Sequence, residues 1–192
     1  MTAIAALTVD ISLPAIPAMV IDLSTSLSMG QKIVGIFMAG MAFGQIPAGL
    51  ISDRVGRLPV LYGGMLLFAA AAIAAALASG IGLMLLARFV QGIGAATALV
   101  LSRAIVRDIA SGKEAAKLMS LMTMIFTAAP VIAPTVGALL VAQWGWRAPF
   151  IVIAGLGVLL LFAIRSNIHE THAGNSTENP VRQLVASFTE FF

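Results

Sequence analysis

Residues 33–52 carry no charged side chain, and neither do residues 58–87. A helix needs roughly 20 consecutive apolar residues to cross a bilayer, and each stretch is at least that long. Between them lie only Asp53, Arg54, Val55, Gly56 and Arg57. So short a segment cannot build a domain, so Asp53 to Gly56 reads as a tight turn between two membrane spans. Continuous apolar runs select helices, because the strands of a membrane barrel alternate in polarity. The chain is therefore expected to be an all-α, polytopic membrane protein.

Composition agrees. Hydrophobic residues make up 60% of the chain, charged residues 10%, and the mean hydropathy is +1.03. A soluble domain carries about 25% charged residues. The 18 glycines and 8 prolines are tolerated in membrane helices, where small residues let backbones approach. A pI near 10.0 invites a nucleic-acid reading, but the net charge is only +3, and the basic residues lie mostly in short segments between spans. Nucleic acid is not an expected partner; the lipid bilayer is. With 0 cysteines, no disulfide or thiol chemistry is available.

Six spans account for the chain: about 2–21, 31–51, 60–79, 83–102, 118–142 and 148–165. The run from Leu58 to Ala87 exceeds one crossing, and Ser79-Gly80-Ile81-Gly82 supplies the break within it. Arg103 to Lys117 reads as a charged, partly helical loop. Residues 1–166 thus form one six-helix transmembrane bundle, and 167–192 begin a polar loop with a short amphipathic segment at 181–192. Trp144 and Trp146 mark a turn at the membrane interface. Arg54, Arg57, Arg103, Arg107, Lys113, Lys117, Arg165 and Arg182 fall on one side, with only Lys32 and Arg147 on the other. That bias predicts both termini in the cytoplasm.

Asp10 and Arg88 are the charges expected inside the hydrocarbon. Each costs about 2.5–3.5 kcal/mol at a helix centre, so each should face a partner or a polar cavity. Pro14 and Pro17 follow Asp10 and interrupt the backbone ladder at membrane depth. Gly40 and Gly44 have the small-x-x-x-small spacing of close helix contact. His169 and His172 could pair on a metal, but they stand in a polar tail with no Cys beside them. No nucleotide-binding glycine loop accompanies them, so neither an enzyme nor a bound metal or cofactor is expected.

The loop Gly49-x-x-x-Asp53-Arg54-x-Gly56-Arg57-x-Pro59 resembles the segment between the second and third helices of major facilitator superfamily transporters. Arg88-x-x-Gln91-Gly92 resembles that superfamily's fourth-helix motif. Pro130, Pro134 and Gly137, within Pro130-Val131-Ile132-Ala133-Pro134-Thr135-Val136-Gly137-Ala138, resemble the fifth-helix motif of its proton-driven antiporters, with alanines at two usual glycine positions. These departures, and Asp10-x-x-Leu13-Pro14-Ala15-x-Pro17 in the first span, are similar to the Bcr/CflA-like drug-resistance branch.

The resemblance implies the N-terminal half of a twelve-helix fold, built from two inverted three-helix repeats, with a second six-helix half as partner. It also implies proton-coupled efflux (drug:proton antiport) of small amphipathic or cationic molecules across the bacterial inner membrane. Asp10, Arg88 and Gln91 would then line the pathway for protons and a small-molecule substrate. Gly49, Asp53, Arg54, Gly56, Arg57 and Asp108 would form a cytoplasmic gate motif, with Asp53, Arg57 and Asp108 in one charge cluster. Two alternatives stand beside it: a metabolite or sugar exporter of the same superfamily, and a six-helix packing subunit that transports nothing.

Overall fold

The computed structural model describes residues 1–168 and 170–171. His169, His172, Arg182 and the segment at 181–192 lie outside the described residues. Within them the chain is all-α: α1 (Ala3–Ser12), α2 (Ile16–Asp22), α3 (Leu27–Val55), α4 (Arg57–Ala76), α5 (Ile81–Ile109), α6 (Gly112–Trp144) and α7 (Ala148–Asn167). A 3-10 turn over Leu13–Ala15 joins α1 to α2, with Pro14 inside it. Together α1 and α2 make the first of six helical stretches long and apolar enough to cross a membrane. Pro130 and Pro134, by contrast, sit inside α6 without dividing it.

The helices run antiparallel in sequence, so Arg54, Arg57, Arg103, Arg107 and Arg165 share one end of the bundle, called the basic end below. The charged segment at 103–117, expected as a partly helical loop, is helical almost throughout. Arg103 and Arg107 lie on α5 and Lys113 and Lys117 on α6, and only Ala110 and Ser111 stand outside helix. Charge marks where a helix leaves the lipid; the backbone ladder continues into water because water opposes helix far less than lipid opposes charge. The turn after α3 is likewise shorter than expected. Asp53 and Arg54 belong to its last turn, and Gly56 alone reverses the chain, at φ 99°. Only glycine adopts that conformation at little cost.

α5 is the axis of the bundle: 61% of its apolar stretch is buried, against 28% for α3 and 17% for α6. It can be central because glycines let its neighbours in. A Cβ on Gly40 would stand 2.1 Å from the Phe89 carbonyl oxygen, and one on Gly92 would stand 2.2 Å from that of Phe37. Here α3 and α5 touch backbone to backbone, the arrangement by which small residues promote helix association in lipid. α6 meets α1 in the same way, since a Cβ on Gly137 would lie 2.3 Å from the Ile11 carbonyl oxygen.

At the end opposite the basic one, Asp22 ties the bundle together. Its carboxylate accepts from Trp146 Nε1 at 2.9 Å and from Arg147 at 2.8 Å. Arg147 stacks 4.1 Å above the Trp146 ring. The two tryptophans thus divide: Trp144 is exposed, while Trp146 is buried beneath this clasp.

Candidate functional site

At the basic end, Arg57 is the hub. It is the first residue of α4 and is buried, although charged. Its guanidinium donates to Asp108 Oδ2 at 3.0 Å and to Ser52 Oγ at 2.9 Å, and it pairs with Asp53 in the last turn of α3. Asp53, Arg57 and Asp108 therefore meet, on three different helices. The geometry follows from the one-residue turn at Gly56, which places the end of α3 against the start of α4. Gly49 has a looser role: a Cβ there would meet only Val100, at 3.9 Å. Arg54 is exposed on the outer face of the same turn.

Two residues that the sequence reading left in a solvated tail join this cluster. The Glu170 carboxylate accepts from the backbone N–H groups of Arg57 and Leu58, at 2.8 and 2.9 Å. Those groups are among the donors that a helix N-terminus leaves unpaired, and its partial positive charge favours an anion. Pro59, next in line, has no N–H to satisfy. Thr171 Oγ1 donates to Asp108 at 3.2 Å. The chain leaving α7 is thereby tied across the start of α4 and the end of α5.

In the interior, Arg88 is fully buried. It donates to Gln91 Oε1 at 3.0 Å, one turn along α5, and to Ser12 Oγ at 3.2 Å on α1. Its guanidinium carbon lies 4.6 Å from the Phe37 ring centre and 5.6 Å from that of Phe150, and ring faces attract a cation. Arg88 Nε and Gln91 Nε2 are buried with no hydrogen-bond partner. No carboxylate is among the contacts of Arg88 in the described residues, so Asp10 is not its partner here. Asp10 and Ser12 stand two residues apart on one helix and face different ways. The arginine reaches the hydroxyl, not the acid.

Asp10 opens instead into an apolar cavity of about 220 Å³ between α1, α3 and α6, whose lining includes Met38, Met41, Phe126 and Pro130. The acid is half-buried and has no hydrogen bond or ion pair among the described residues. Pro130 thus shares a cavity with Asp10, while Pro134 and Gly137 lie further along α6, where Gly137 sets its contact with α1. Ser12, Phe37, Phe150, Glu170 and Thr171 complete these sites, and no spacing in the sequence singles them out. Groups of His, Cys, Asp or Glu able to hold a metal ion do not occur among the described residues.

Comparison with known proteins gives a consistent picture. The chain is 39% identical over 167 residues to the uncharacterized MFS-type transporter YdgK of Bacillus subtilis, covering 86% of this chain and 42% of that protein. It is 35% identical over 165 residues to the multidrug resistance protein MdtL of Shewanella oneidensis, covering 86% and 42%. To the bicyclomycin resistance protein homolog of Haemophilus influenzae it is 36% identical over 164 residues, covering 85% and 41%. The chain thus spans about half the length of the curated relatives it matches. A crystal structure of the peptide transporter POT with sulfate superposes with a TM-score of 0.71 over 99% of this chain and 42% of that one; at 18% identity the likeness is one of fold. The model of the Major Facilitator Superfamily matches residues 1–192. This chain, a multi-pass helical membrane protein, belongs to the major facilitator superfamily, a family of transporters rather than enzymes.

Proposed function

We propose that this chain is the N-terminal six-helix half of a proton-coupled efflux antiporter for small amphipathic or cationic molecules. It resides in the bacterial inner membrane, with both termini in the cytoplasm. One observation carries the reading: Asp10, an acid at membrane depth, opens into an apolar cavity with no partner among the described residues. An ionisable group in a span is expensive and points to a transport pathway. The apolar walls suit the body of an amphipathic substrate, and the carboxylate suits its cation. The relatives whose names refer to multidrug or bicyclomycin resistance support efflux of small drug-like molecules. The sparsely buried faces of α3 and α6 are where a second six-helix half would close the pathway.

In the twelve-helix protein, reconstituted in vesicles, an imposed pH gradient should drive uptake of a cationic dye against its own gradient. Collapsing the pH gradient with a proton–potassium exchanger should stop it. Uptake that persists undiminished without the gradient contradicts proton coupling.

Two further expectations follow from the basic end. The excess of Arg and Lys there supports a cytoplasmic location for it. Because the chain has no cysteine, Ser111→Cys gives a single thiol, which an impermeant reagent should label only from the cytoplasmic side. Labelling from outside would reverse the topology. The Asp53–Arg57–Asp108 cluster acts as a latch that holds the cytoplasmic side closed. Asp53→Asn removes one of two carboxylates from a largely buried arginine, and a charge-assisted bond of this kind is worth about 1.5–3 kcal/mol. Transport should fall roughly tenfold or more while membrane insertion stays normal; unchanged transport would reduce the loop to a topology signal.

A further inference from the structure

A second cavity lies on the outside of the bundle, far from Asp10. It is a groove of about 410 Å³ between α4 and α7, lined by Tyr62, Leu66, Val158, Leu161, Phe162 and Arg165. It begins next to the point where Gly157 lets α7 touch Phe68 and runs towards the basic end. From Val158 to Arg165 it covers about 10 Å of helix rise, against about 15 Å for one leaflet of hydrocarbon. Leu66, Val158 and Phe162 are exposed, as side chains facing lipid tails are. Its wet end differs in kind. Arg165 is exposed and has no ion-pair partner among the described residues, and the Tyr62 hydroxyl has no hydrogen bond among them. A cation and a free hydroxyl therefore stand together at headgroup depth, at the mouth of an apolar slot.

We propose that this groove is a binding site for one anionic phospholipid of the leaflet at the basic end. An acyl chain lies between α4 and α7, and the phosphodiester is held by Arg165 and Tyr62. Charge complementarity selects the occupant: a zwitterionic headgroup brings its own cation to the phosphate, whereas an anionic one leaves the phosphate to Arg165. A free phosphate would gain nothing from the apolar length. The groove lies on α4 and α7, away from the faces of α3 and α6 that a second half would cover, so lipid reaches it in the longer protein as well. The proposal does not depend on proton coupling and stands or falls apart from it.

The test is native mass spectrometry of the chain released from bilayer nanodiscs holding equal amounts of phosphatidylglycerol and phosphatidylethanolamine. Wild type should retain phosphatidylglycerol about fivefold over phosphatidylethanolamine, the preference that one basic residue near the surface supplies. Arg165→Gln should abolish the preference, and Arg165→Lys should keep most of it. Val158→Trp, which fills the slot, should remove the retained lipid, while Leu139→Trp on the exposed face of α6 should not. Equal retention of both lipids by wild type, or an unaltered preference in Arg165→Gln, would overturn the proposal. So would displacement of the lipid by inorganic phosphate, which would make the site one for a free anion.

Discussion

Replacing Asp10 with asparagine in the twelve-helix protein is expected to abolish the dependence of efflux on the pH gradient. Uphill efflux should fall by about tenfold or more, while downhill exchange of substrate continues. A bare carboxylate at this depth costs about 2.5–3.5 kcal/mol, and either a proton or a cationic substrate removes that cost. Only one of the two can do so at a time, so binding of one expels the other. Asparagine fills the same volume but carries no charge to exchange, so the substrate no longer competes with protons. The position of Arg88 refines this scheme. Held by Ser12 and Gln91, it faces a different side of the first span from Asp10, and the 3-10 turn at Leu13–Ala15 lies just beyond Ser12. Arg88 would then anchor the first span to α5 while Asp10 exchanges its cation. Full, gradient-dependent efflux by the asparagine variant would move the proton site elsewhere.

Gly92→Leu should be among the most damaging single changes to the fold. Its Cβ alone would stand 2.2 Å from the Phe37 carbonyl oxygen and 2.8 Å from the Met41 backbone nitrogen. Neither is a side-chain tip that can swing aside, so α3 and α5 must separate. Overpacking a core costs typically about 1–3 kcal/mol even where side chains can give. Separation would also uncover Arg88, since Phe37 forms one wall of its pocket. A drop in thermal midpoint of about 10 °C or more is expected, read by loss of monodisperse protein on heating. Gly63→Leu, where no atom lies within 4 Å of the added Cβ, should leave the midpoint unchanged. A similar drop in both variants would mean that the damage comes from leucine in these helices rather than from the α3–α5 contact.

The helical membrane class was legible because hydropathy and backbone satisfaction act over whole stretches of chain, and a 30-residue uncharged run such as 58–87 leaves few alternatives. Helix ends were less legible. Arg103 and Lys113 mark where the uncharged stretches stop, but the hydrogen-bonded ladder of α5 and α6 extends past that point, so charge alone suggested a partly helical loop where two helices continue almost to meet. Gly40 and Gly44 signalled a close contact but not its partner, α5, which only packing decides. The charged cluster at Arg57 was drawn from a resemblance of short motifs, and its residues are now seen to touch. Ser12, Phe37 and Phe150 around Arg88 come from three helices far apart in sequence and carry no local pattern. Glu170 looked like a solvated tail residue because a helix N-terminus that needs an anion is invisible until α4 is placed beside it.

The central claim, that Asp10 exchanges a proton for the substrate, is tested most directly by the protons set free on binding. The twelve-helix protein is held in weakly buffered detergent solution, a saturating cationic substrate is added, and the pH change is read alongside the heat of binding. Wild type should release protons as the substrate binds, and Asp10→Asn should bind the substrate with no release. Equal proton release in the two proteins, or normal substrate binding by wild type with none, would contradict the account.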